Sequence, residues 1–67
     1  MKVENLKQIR KKSKFNQKEL GEKLRISQSS YNKKENGINP FTIDEIKELR
    51  TIFSLSNKDI IEIFFEN

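Results

Sequence analysis

The stretch Gln17–Asn36, QKELGEKLRISQSSYNKKEN, decides how this chain is read. Its only strongly apolar residues are Leu20, Leu24, Ile26 and Tyr31. They are spaced so that two short helices joined by a tight turn would face them inward, which is helix-turn-helix spacing. Both helices carry a start signal: Asn16 followed by Glu19 makes a capping box, and Ser27 can accept from the first amides of the second helix. Gly21 has no side chain to hold the two segments apart. The second helix, Gln28 to Asn36, turns Gln28, Ser29, Asn32, Lys33 and Asn36 toward solvent, because those positions repeat at helical period. Amides, hydroxyls and ammonium groups of this kind bond to base edges and phosphates.

With LKQIRKK at Leu6–Lys12 and NPFTIDEIKELRTIF at Asn39–Phe53, the block NQKELGEKLRISQSSYNKKENG at Asn16–Gly37 resembles the phage repressor and Cro-like (Xre-type) helix-turn-helix family over nearly the whole chain. The resemblance implies an all-α, five-helix bundle of the lambda-repressor-like DNA-binding type with a central helix-turn-helix. It implies that Arg10 pairs with Glu35, that Gln17 holds a phosphate at its helix end, and that loop amides with Asn36 or Asn39 hold phosphates beside the groove. Two positions depart from the family pattern. Arg25 stands where the turn often has glycine, and a non-glycine residue at positive φ costs about 1–2 kcal/mol. Lys34 replaces a residue that is usually apolar, so its stem should cover core while its charge escapes.

At 67 residues the chain is read as one helix-turn-helix DNA-binding domain, residues 1–67. Its mean hydropathy is −0.85 and it has no cysteine, so packing alone holds it, and stability should be modest. No apolar stretch reaches the roughly 18 residues of a membrane span, and no h-region follows the charged start. A soluble, cytoplasmic, nucleoid-associated protein is expected. The charge is unevenly placed: residues 1–39 hold eleven Lys and Arg against four acids, and residues 40–67 hold three against six. A polyanion would be drawn to the helix-turn-helix end and repelled from the other.

Taken in order, Met1–Ser13 reads as a first helix with Val3, Leu6 and Ile9 inward and Lys2, Lys7, Lys11 and Lys12 around them. Phe15 precedes the Asn16 cap and should staple onto Leu20. Gly37 and Pro40 stop the second motif helix, and Ile38 and Phe41 are expected to fold back onto the core. Thr42 with Glu45 caps a helix to Phe53, whose apolar face is Ile43, Ile46, Leu49, Ile52 and Phe53. Ser56 with Asp59 caps a last helix from Asn57 to Phe65. There Ile60, Ile61, Phe64 and Phe65 form one face with Ile63 to one side, and either these five close the core against the first helix or some stay exposed as a homodimer surface, with Glu62 and Glu66 keeping the free side acidic. The same β-branched, aromatic run also admits a C-terminal strand.

The base-contact candidates are Gln28, Ser29, Asn32 and Lys33. Gln28 suits adenine N6 and N7, and Lys33 suits guanine O6 or N7. Phosphate candidates are Gln17, Ser30, Asn36, Asn39 and Lys14. With no histidine and no cysteine there is no His/Cys metal site and no His-activated nucleophile. Neither metal, cofactor nor small-molecule substrate is expected, and the chain is not read as an enzyme. The expected partner is a double-stranded operator, near-palindromic if the protein binds as a homodimer, and the expected role is a stand-alone phage or prophage repressor. The rival roles are an antitoxin of the same fold and a protein-interaction module that no longer binds DNA.

Overall fold

The computed structural model describes residues 3–65. Five helices follow one another: α1 (Val3–Lys12), α2 (Gln17–Leu24), α3 (Gln28–Glu35), α4 (Ile43–Phe53) and α5 (Asn57–Ile60), the last continuing directly into a π-helical turn, Ile61–Phe65. The described residues contain no strand, so the C-terminal segment is helical. The expected start of α1 at Met1, with Lys2, and the expected acidic role of Glu66 lie outside the described residues.

Local chemistry sets the starts. Asn16, Thr42 and Ser56 each close a reciprocal capping box with Glu19, Glu45 and Asp59, and Ser27 accepts from the Ser30 N–H at 3.0 Å. Each cap satisfies amides that the helix itself leaves without partners. The stops share one device. Lys14, Arg25, Gly37 and Ser54 all take positive φ, at 62°, 62°, 78° and 53°. In each case the next residue donates its N–H five positions back: Phe15 to Arg10, Ile26 to Gly21, Ile38 to Lys33 and Leu55 to Arg50, at 2.9–3.2 Å. This is the Schellman closure, and the apolar residue after the left-handed one is the natural contact for the helix it ends. Leu55, between α4 and α5, is thereby only 6% exposed and joins the core. Three of the four left-handed residues are not glycine, so the fold carries strain of about 1–2 kcal/mol at each of Lys14, Arg25 and Ser54.

The core is Leu6 from α1, Leu20 and Leu24 from α2, Tyr31 from α3, Ile46 and Leu49 from α4, then Leu55, Ile63 and Phe64. Edge-to-face rings run through it, Tyr31 to Phe41 at 6.0 Å and Phe41 to Phe64 at 5.6 Å. Phe15 meets Phe53 edge to face at 5.7 Å, and the Lys23 ammonium also lies over the Phe15 ring. The ring partner of Phe15 is thus Phe53, a residue far along the chain from the expected staple partner Leu20. Gly21 has a direct reason: a Cβ there would lie 3.0 Å from the Ile26 carbonyl oxygen and 3.3 Å from Ser27 backbone atoms. The turn into α3 closes against the bare face of α2.

Four packing expectations are corrected. Ile38 is 68% exposed and Ile43 is 59% exposed, so neither joins the core. Phe41 and Ile46 already fill the space between α3, α4 and the C-terminal turn. In the last segment Ile63 and Phe64 are buried while Ile61 and Phe65 are exposed, so the expected single face of Ile60, Ile61, Phe64 and Phe65, with Ile63 to one side, is split between core and solvent. The π-helical turn, with its i to i+5 spacing, breaks the α-helical register on which that shared face was drawn. Lys34 does not release its charge to water. Its Nζ lies 2.6 Å and 2.7 Å from the two carboxylate oxygens of Glu45, with both side chains largely buried. Glu45 accepts from the Thr42 N–H as well, so one carboxylate caps α4 and ties it to the end of α3.

Candidate nucleic-acid interface

The outward side of α3 carries Gln28, Ser29, Asn32 and Lys33, all exposed, with Asn36 exposed at its C-cap. Gln28, Ser29 and Asn32 join Gln17 from the first turn of α2 around an open cleft of about 450 Å³. Lys33 stands outside that cleft. Lys14 and Asn39 are exposed in the loops that follow α1 and α3. Ser30 is half-buried, and its hydroxyl oxygen accepts from the Ser27 hydroxyl at 3.0 Å, within the cap of α3.

Beneath this face sits a buried charge pair. Arg10 Nε donates to Glu35 Oε2 at 2.8 Å, Arg10 Nη2 to Glu35 Oε1 at 3.1 Å, and Arg10 Nη1 to the Phe15 carbonyl at 3.0 Å. The side chains are 10% and 0% exposed. The fork geometry joins α1, the loop before α2 and the end of α3 through one guanidinium, which lysine could not do. Tyr31 is fully buried beside the pair. Its hydroxyl is buried next to the Glu35 carboxylate, and burial first, then that carboxylate, keeps it protonated far above its ordinary range.

Sequence reasoning missed what links the pair to the outer face. Gln17 Nε2 donates to Glu35 Oε1 at 3.2 Å, Asn32 Nδ2 donates to Gln17 Oε1 at 3.1 Å, and Asn36 Nδ2 donates to Asn32 Oδ1 at 3.3 Å. Gln17, expected at a phosphate, therefore has its carbonyl oxygen and one N–H committed within the protein. Separations of 15 and 18 residues left no local signal for these contacts.

A helix-turn-helix family model matches residues 6–56, three-quarters of the chain and every element from within α1 to the cap of α5. The chain belongs to the Xre/Cro-type helix-turn-helix family. Neither the curated proteins nor the solved structures give a match. An Xre/Cro-type helix-turn-helix chain is a DNA-binding transcriptional regulator whose partner is double-stranded DNA, and the family is not an enzymatic one. No described helix is long and apolar enough to cross a membrane.

The two buried carboxylates predict an acid-sensitive fold for this helix-turn-helix chain. Burial pushes the Glu35 carboxyl up, but the Arg10 guanidinium, then the neighbouring Tyr31 hydroxyl and the Gln17 amide, outweigh it and hold Glu35 below its ordinary value of 4.5. Glu45 is likewise raised by burial and lowered more by Lys34 and the Thr42 amide. For a depressed carboxylate the unfolded chain binds more protons than the folded one near and below that ordinary value. The stabilisation is complete above it and is lost as pH falls through the folded value. Without histidine, no side chain has an ordinary pKa between about 5 and 8. Thermal melts should therefore be level from about pH 7 to 5 and fall steeply below about 4.5. Glu35→Gln and Glu45→Gln should each flatten that fall, and an unchanged slope in both variants would refute the assignment.

Proposed function

We propose that residues 1–67 form one domain that acts as a sequence-specific repressor of Cro-like or repressor-like type, encoded by a phage or prophage, occupying an operator through the major groove. The observation that carries the reading is the outward face of α3, where Gln28, Ser29, Asn32 and Lys33 are all exposed while its inward residues Tyr31 and Glu35 are buried. Base reading falls to those four side chains. Lys14, Gln17, Ser30, Asn36 and Asn39 flank them as phosphate contacts, which position the helix without reading sequence. The reading places the protein in the cytoplasm on the nucleoid.

Binding as a homodimer would pair two α3 helices on half-sites roughly 34–36 Å apart on a near-palindromic operator. Ile61 and Phe65, 53% and 59% exposed, are the residues of the terminal segment free to meet a second copy.

Selection of duplexes from a random pool, followed by footprinting, tests the function. The expected result is an enriched near-palindrome protected over two half-sites one turn apart, with affinity falling linearly on a log–log salt plot as phosphates are released. Equal recovery of all sequences, or binding indifferent to salt, would refute the reading.

A further inference from the structure

We infer that Glu35, acting through Gln17, fixes the rotational sense of the Asn32 side-chain amide so that Asn32 meets an adenine edge. The inference rests on the DNA-reading role of α3 proposed above. A side-chain amide has two nearly identical faces, and a free surface asparagine can present either its oxygen or its nitrogen to a base. Here the choice is made from below. An ionised carboxylate only accepts, and Arg10 keeps Glu35 ionised. The Gln17 group facing Glu35 must then be its NH₂, at 3.2 Å, which leaves the Gln17 oxygen turned to Asn32. That oxygen requires Asn32 to donate, and the Asn32 oxygen in turn accepts from Asn36. Donor sense thus passes from a buried ion to an exposed amide through contacts of 3.1–3.3 Å.

Asn32 keeps one N–H and one oxygen lone pair uncommitted. A donor and an acceptor side by side on one amide match N7 and N6 of adenine, the bidentate contact that asparagine makes in the major groove. The relay assigns Gln17 a positioning role distinct from holding a phosphate.

The test is selection from the random duplex pool with wild type, Gln17→Met, Asn32→Ala and the double variant. Wild type should prefer A·T at one position per half-site, and Asn32→Ala should lose that preference by about tenfold. Gln17→Met should relax the same position and leave the rest of the profile in place, and the double variant should lose no more there than Asn32→Ala alone. Should Gln17→Met weaken binding equally on every sequence, Gln17 would be a phosphate contact only, and the positioning role would be overturned with the regulator reading intact. A wild type that enriches no sequence would remove both. The intact protein offers a readout independent of folding in the variant. One Asn32 side-chain amide proton should be shifted and slow to exchange in the NMR spectrum of free protein, whereas two amide protons with the shifts and exchange rate of a free asparagine would overturn the relay.

Discussion

Arg10→Ala is expected to cost about 3–5 kcal/mol, because it strands a carboxylate that is 0% exposed. A chain of 67 residues has a total stability on the order of 5 kcal/mol, so the variant should be largely unfolded at room temperature. Lysine should not rescue it, since one ammonium cannot reach both Glu35 oxygens and the Phe15 carbonyl together. The informative companion is Arg10→Met with Glu35→Leu. Replacing both charges by apolar groups of similar size removes the stranded ion, and the pair should be more stable than either single change. Urea titrations of the wild type and each of these variants measure this. A loss under about 1 kcal/mol for Arg10→Ala would mean that Glu35 finds water or another donor, contrary to the buried pair described above.

The second large effect lies on the other side of α3. Gln28→Ala and Lys33→Ala should each reduce discrimination between the selected operator and a single-base variant by about 1–3 kcal/mol, and together should leave little sequence preference beyond the position read by Asn32. Both residues are exposed, so the melting behaviour should stay within about 0.5 kcal/mol of wild type. Lys33 offers a further discrimination. A base-reading lysine changes preference at one position, whereas a phosphate-binding lysine lowers affinity on all sequences and reduces the salt slope by about one. Unchanged binding by the double variant would remove α3 as the reading element.

The failures of the sequence reading have specific causes. The strand alternative for residues 60–65 rested on β-branched and aromatic residues, and packing on α1 and the core overrode that propensity. Ile43 fell on the apolar stripe of α4 by spacing, yet the first residue of a capped helix lies at the edge of the core and stays wet. Lys34 was correctly marked as odd for its place. Its partner Glu45 sits eleven residues away, beyond any local pattern, and had already been given a complete local role as a cap. The ends of α1 and α4 were legible, but the left-handed turns at Lys14 and Ser54 that make them were not, because neither is glycine, although each is followed by an apolar residue as at Arg25 and Gly37.

By itself the sequence determined the helices and the outward face of the second motif helix, because caps, turns and apolar period act between residues at most four or five apart. The helix-turn-helix and its polar surface follow from those local rules. Only the tertiary structure decided where Lys34 puts its charge, which of the last five apolar residues are buried, and that the Asn32 amide takes its sense from a buried carboxylate. Those outcomes depend on groups brought together from distant parts of the chain. A charge or an amide, once desolvated, must bond to whatever the packing has placed within about 3 Å.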